Sequence, residues 1–213
     1  MIRSGFSAAI AKFIATGAAS ALVPLKIELA RRMAPERWEH SWEVALTAGW
    51  LGRLHGVSPR RCLLAGLLHD CARDYAPAEL LRLAETAGVS ITTVDRRAPG
   101  LLHGPVGAYL ARTVFGLEDA EVLTAIAVHT TGAPELSPVA RVLFVADFIA
   151  PGRCFPAVRA VRALAGVSLE AAVRLKYQEM HRHLRSRGWR LHPLFRAGLQ
   201  AVVHERLWHE GAN

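Results

Sequence analysis

Proline and glycine cut this chain into segments of helical length, and that punctuation constrains the fold more than any other feature of the sequence. Between the breaks, apolar residues recur every three to four positions. Strand-like alternation over more than four residues is hard to find, and Ala and Leu dominate over the β-branched residues. Several prolines stand where a helix should begin, a position at which a missing N–H costs nothing. Pro35 precedes ERWEHSWEVALTAGWLGRLH, Ser58-Pro59 opens RRCLLAGLLHD, Pro77 opens AELLRLAETA, Gly104-Pro105 opens VGAYLARTVF, and Pro138 opens VARVLFVADFIA. Glu118 and Asp119 place acid at the start of AEVLTAIAVHT, where the helix dipole favours it. Gly88, Gly116, Gly132 and Pro151-Gly152 close segments. Ser168 caps a long helix to about Ser186, and a last helix runs from about Pro193 to Trp208. The pattern predicts one all-α domain, a single helical bundle of roughly eight to ten helices.

Composition excludes several classes. Apolar residues make up 52% and charged residues 21%, which rules out global disorder. The net charge of +8 comes almost wholly from arginine, which grips phosphate bidentately, yet the arginines are scattered over every segment. A basic nucleic-acid-binding module would gather them on one element, so no stable nucleic-acid partner is expected. Cys62, Cys71 and Cys154 form no paired framework and no CxxC, which points to a reducing compartment, the cytoplasm. Residues 6–25 are apolar after Arg3 but interrupted by Lys12, and no charge-free run reaches membrane-spanning length. The chain therefore divides into an apolar, amphipathic extension over residues 1–23 and a domain over 24–213.

Polar residues stand where the helical pattern calls for core. His40 shares a stripe with Val44, Thr47 and Leu51, and His69-Asp70 ends an apolar run. His129 follows Ala125, Ile126 and Val128, and Asp147 is embedded in VLFVADFIA. One turn before His69, Ala65 and Gly66 are small enough to admit a neighbouring helix or a bound ion. A lone buried His is more often hydrogen-bonded core, and a lone buried Asp more often a cap or an Arg partner. An ionised carboxylate in such surroundings is costly unless a cation compensates it. A metal accounts for all of these residues together, since bundle cores build such sites from side chains of different helices.

The order His40, then His69-Asp70, then Asp147 resembles the HD-domain metal-dependent phosphohydrolases. Closer still is the YqeK-type branch, the symmetrical diadenosine tetraphosphate hydrolases. The matching stretches are EHSWEVA (39–45), AGLLHDCARD (65–74), LLHGPVGAYL (101–110), AIAVHTTG (125–132), FVADFIAPGR (144–153) and RGWRLHP (187–193). The resemblance implies an HD phosphohydrolase domain in which His40, His69, Asp70 and Asp147 bind metal. It implies one or two ions, iron first, with manganese or zinc also compatible. His103 and His129 would face a second metal position or the phosphates, Arg73 stands where the family has Lys, and Arg153 would hold nucleotide phosphate. Ala150 departs from the family, which commonly has Glu there; altered local hydrogen bonding is expected in place of metal loss. The implied activity is cleavage of diadenosine tetraphosphate to two ADP. Another HD-type hydrolase, acting on a nucleotide or a cyclic phosphodiester, is the alternative, and a homodimer is compatible with the pattern.

The residues suggest further roles. Asp70, beside His69, can orient the attacking water as well as touch metal. His103 precedes Gly104-Pro105, and free N–H groups at a helix start would favour phosphate. His129 is followed by Thr130 and Thr131, whose hydroxyls suit phosphate oxygens, so the phosphate role is preferred for both histidines. Arg187 is a further candidate cation, Trp189 a candidate for stacking a base from a loop, and His192 in the same stretch a candidate substrate contact. Trp38, Trp42 and Trp50 flank His40 and are read as core, and His181 and His183 at i, i+2 point to different faces.

Overall fold

The computed structural model describes residues 23–210, and these contain eleven α-helices, one 3₁₀ turn and no strand. In chain order they are α1 (Val23–Arg32), α2 (Pro35–Leu54), α3 (Pro59–Leu68), α4 (Pro77–Thr86), α5 (Thr93–Arg97), the 3₁₀ turn Pro99–Leu102, α6 (His103–Thr113), α7 (Ala120–Val128), α8 (Pro138–Ile149), α9 (Val158–Ala165), α10 (Leu169–Ser186) and α11 (Pro193–Glu210). The amphipathic extension expected over residues 1–23 lies outside the described residues except for Val23.

Local chemistry sets most of these boundaries. Pro35, Pro59, Pro77 and Pro138 each occupy the first turn of their helix. Ser58, Asp119, Ser137 and Ser168 cap α3, α7, α8 and α10 with side-chain oxygens on free N–H groups. The start of α6 differs from the expectation. It begins at His103, two residues before Pro105, because the 3₁₀ turn runs into it, and Pro105 still falls within the first turn, where no intrahelical bond is required. The two short helices α5 and α9 are additions to the expected set. Thr92 and Asp95 form a capping box around the first, whereas the second has no side-chain cap at all.

The centre of the bundle is α8, whose Val139, Ala140, Val142 to Ala146 and Ile149 are buried. It packs on α2, α3, α7, α9 and α10, and α6 lies beside α7. A smaller cluster of Ala72, Leu80, Ala84, Leu102, Val106 and Leu110 joins α4, the 3₁₀ turn and α6. Helix α3 approaches α2 at backbone distance. A Cβ on Gly66 would lie 2.5 Å from Ala45 Cα and 2.8 Å from its N, so backbone meets backbone there. A helix, and not an ion, takes the room that Gly66 leaves. Gly132, in the turn that follows α7, has φ +66 and sits directly over the Tyr177 hydroxyl, which bridges the Ala133 N–H and C=O. Trp38 and Trp42 stack on one another at 6.0 Å and pack on the core with Trp50, as read from the sequence.

Because no side chain but two helix backbones would have to yield, Gly66→Ala is expected to lower unfolding stability by about 1–3 kcal/mol. Urea denaturation checks this. A change within about 0.5 kcal/mol would contradict the close packing, since that is the range of neutral surface substitutions.

Candidate metal centre

Five helices bring six acceptor side chains to one point. His40 comes from the middle of α2 and Asp147 from the last turn of α8, while His69 caps the end of α3 with Asp70 immediately beyond. His129 caps the end of α7, and His103 stands where the 3₁₀ turn becomes α6. Three of these histidines share one device. The Nδ1 of His69 lies 2.7 Å from the Gly66 carbonyl, that of His129 lies 2.7 Å from the Ile126 carbonyl, and that of His103 bonds the Gly100 carbonyl. A carbonyl only accepts, so each Nδ1 carries the proton and each Nε2 presents a lone pair. The bond to one's own helix also fixes the ring, as in histidines that ligate metals.

The Nε2 atoms then face other acceptors. Nε2 of His103 is 3.0 Å from Nε2 of His129 and 3.1 Å from Asp70 Oδ1, and Nε2 of His129 is 3.7 Å from the same oxygen. Nε2 of His69 is fully buried, has no hydrogen-bond partner, and lies 3.6 Å from Asp70 Oδ2 and 3.9 Å from Asp147 Oδ1. Nε2 of His40 is 3.0 Å from Asp147 Oδ1. Two sets, His40 with His69 and Asp147, and His69 with Asp70 and His129, are compact enough to hold an ion each, and His69 belongs to both.

Such a cluster repels itself unless positive charge sits among its lone pairs. Protons are poorly suited. Burial pushes His69 down to about 4, against the opposing pull of Asp70, and burial lowers His103 as well. The carboxylates nonetheless stay ionised. Burial raises both, but His69, His103 and His129 outweigh it at Asp70, and His40, Lys176, His69 and Arg153 outweigh it at Asp147. The donor set of neutral imidazole and carboxylate fits a divalent metal. The nearest thiol, Cys71, points its Sγ at the Gly107 carbonyl and is pushed up to about 12, first by burial, so it is no ligand here.

Above the cluster opens a cleft of about 290 Å³ whose walls carry Arg37, Arg73, Arg153 and Lys176 with Asp70, His103, Thr130 and Asp147. Arg37 pairs with Asp70 at 3.0 Å and with Asp74 at 3.3 Å. Arg153 lies in the loop after α8 but is engaged there. Its Nη2 donates to Asp147 Oδ1 at 2.6 Å and lies 3.2 Å from His40 Nε2. Glu43 accepts the Gly152 N–H, and buried Arg162 donates to the carbonyls of Ile149, Ala150 and Arg153, so the end of α8 folds Arg153 back over Asp147. Ala150 itself is buried, and its carbonyl serves Arg162.

Three sequence candidates are not brought to this cleft. Arg187 follows the end of α10 and is exposed, and Trp189 is 59% exposed with its ring edge-on to His183 at 6.1 Å. His192 pairs with Asp95 at 3.4 Å and accepts the Leu194 N–H. Two anion-site arguments also change. The His103 N–H is spent on the Gly100 carbonyl and so is not offered to the cleft. Thr131 is buried and bonds the Gly132 carbonyl, whereas Thr130 Oγ1 lies 3.0 and 3.1 Å from the Nε2 atoms of His103 and His129. Sequence reasoning missed Arg37 and Lys176. Arg37 could have been found, since it lies one turn before His40. Lys176 gives no such signal on a largely polar helix. It is buried, donates to the Phe144 carbonyl and sits 3.6 Å over the Phe144 ring. His55 ties the end of α2 to the Ala165 carbonyl at 2.7 Å.

A family model of the HD domain matches residues 37–152, which include all six acceptors and, in full, four of the five helices that carry them. The chain is 36% identical over 141 residues to the symmetrical bis(5'-nucleosyl)-tetraphosphatase of Halalkalibacterium halodurans, covering 66% of this chain and 75% of that one. It is 33% identical over 143 residues to the protein of the same name from Bacillus subtilis, covering 67% and 76%. A crystal structure of an HD superfamily hydrolase from Clostridium acetobutylicum, described as involved in NAD metabolism, superposes with a TM-score of 0.82 at 29% identity, covering 85% of this chain and 96% of that one. The chain belongs to the HD domain family, and within it to the branch of these tetraphosphatase relatives.

Asp147 ties the metal set to Lys176, which is lowered to about 7, first by burial, with Asp147 pulling it back up. Asp147→Asn is therefore expected to reduce bound metal at least tenfold by elemental analysis. It should also destabilise the fold by about 3–5 kcal/mol, because Lys176 loses its counter-charge. Adding Lys176→Met should restore part of that stability but none of the metal. Full metal occupancy in the single variant, or no recovery in the double variant, would contradict this coupling.

Proposed function

We propose that this protein is a metal-dependent hydrolase that cleaves diadenosine tetraphosphate symmetrically to two ADP. His40, His69, Asp70 and Asp147 would hold the metal, with iron the first choice and manganese or zinc compatible with the same donors. The observation that carries the reading is the buried, partnerless Nε2 of His69 among other lone pairs, directly beneath a cleft walled by four basic side chains. The names of the relatives give the substrate class. A nucleic-acid-binding role has little support, since Arg32, Arg61, Arg82, Arg141 and Arg182 are each engaged with a nearby carboxylate.

When bound, a divalent metal lowers the pKa of water and polarises a phosphoryl oxygen. The chain's own residues would do the rest. Arg37, Arg73 and Arg153 bind the tetraphosphate and offset the charge that spreads over the phosphoryl oxygens, while buried Lys176 supports the charge of Asp147. Asp70, held at Oδ2 by Arg37, orients the attacking water through Oδ1. His103, neutral because burial lowers it, can accept the water's proton at Nε2. The new P–O bond forms at one of the two central phosphorus atoms, the bond to the other half breaks, and ADP leaves with the shared oxygen. We place His129 with His69 and Asp70 as ligands of a second ion, in preference to the phosphate role favoured from sequence. Its Nδ1 is tied to its own helix and its Nε2 faces Asp70, in the compact set with His69, which leaves His103, outside both compact sets and on the wall of the cleft, as the group for the substrate side.

Chromatography of the products tests the reading: one substrate should yield ADP alone. AMP with ATP, or hydrolysis only of mononucleotides or cyclic diesters, would overturn it. In His129→Ala, metal content should fall by about half. Unchanged metal content with weakened substrate affinity would return His129 to the phosphates.

A further inference from the structure

We propose that the apolar chamber beside the cationic cleft seats a nucleobase of the substrate, with Phe155 as its stacking face; the assignment rests on the nucleotide substrate proposed above. The chamber measures about 640 Å³, within the range of pockets that enclose small ligands, and its walls are largely apolar. Phe148, Phe155 and Met180 line both the chamber and the cleft, so the two spaces adjoin across these three side chains. Phe148 follows Asp147 on α8, and Phe155 follows Arg153 by two residues. Side chains of the metal and phosphate site, Asp147 and Arg153, therefore alternate with those that wall the chamber along one short stretch. The two rings meet edge to face at 4.7 Å and 79°, which steadies Phe155 although it is 40% exposed. Pro156 and Leu184 complete the apolar wall.

The occupant follows from the order of chemistry along this path. A ligand whose phosphates lie on Arg37, Arg73 and Arg153 must send its next group either to solvent or past Phe148 and Met180 into the chamber. The group that follows phosphate in a nucleotide is a ribose bearing a flat, aromatic base, which is what an exposed ring beside an apolar wall can hold. Base–aromatic stacking tolerates any base, so the chamber would distinguish nucleotides from inorganic polyphosphate, not one base from another. Trp189, the stacking residue expected from sequence, reaches this region only through His183 on the chamber's far wall.

Calorimetric titration of the protein as purified, with its bound metal, tests the assignment using ADP and inorganic pyrophosphate as probes. The wild type should bind ADP about tenfold more tightly than pyrophosphate, a difference of ~1.4 kcal/mol. Phe155→Ala should erase that advantage and leave pyrophosphate affinity unchanged, and Phe155→Trp should keep it. An ADP advantage that survives in Phe155→Ala, or none in the wild type, would overturn the chamber while leaving the phosphate site intact. Loss in Phe155→Trp as well would trace the effect to the loop and overturn the stacking. Failure to bind either probe would overturn the proposed function together with the chamber.

Discussion

Lone pairs pointed at one another define this molecule. The imidazoles of His69, His103 and His129 each commit the Nδ1 proton to a carbonyl three residues back, so that Nε2 is left as an acceptor among other acceptors. Two carboxylates, one of them almost fully buried, stand within 4 Å of these nitrogens. No arrangement of neutral groups satisfies this set, and burial opposes protonation of His69 and His103. A bound divalent cation resolves the conflict with the ligands already oriented.

The bundle serves that constraint through its helix ends. His69 and His129 each extend the end of a helix by one residue, where the chain leaves regular structure and the ring can fold back on its own last turn. The close contact of α3 with α2 at Gly66 fixes His69 relative to His40, because the residue that permits the contact also supplies the carbonyl for His69. On the other side, α8 carries Asp147 in an apolar segment, and Lys176 from α10 supplies the buried positive charge that lets it remain ionised. Arg162 and Glu43 then hold the turn after α8 so that Arg153 closes over the same carboxylate.

Much of this was legible in the sequence because it is local. Prolines at helix starts, capping serines and the polar residues His40, His69, Asp70, His129 and Asp147 in apolar surroundings all announce themselves within one or two turns. Helix α9 was silent because Ala157 offers neither a cap nor a proline. Lys176 and the placement of Arg153 depend on contacts between distant segments. Lys176 meets a carbonyl 32 residues away, and the Arg153 turn is fixed by Glu43, 109 residues before Gly152. The stretch 187–193 misled for the converse reason. Its Arg, Trp and His are of the types that bind nucleotides, but the end of α10 carries them past the cleft.

Anomalous diffraction from crystals of the purified protein, measured across the iron absorption edge with the manganese and zinc edges as controls, tests the central claim most directly. A peak should lie about 2.1 Å from His69 Nε2, within bonding distance of at least one of Asp70 and Asp147. A map with no anomalous peak at any edge, and His69 Nε2 hydrogen-bonded to a carboxylate instead, would mean that protons hold the cluster together and would contradict the account.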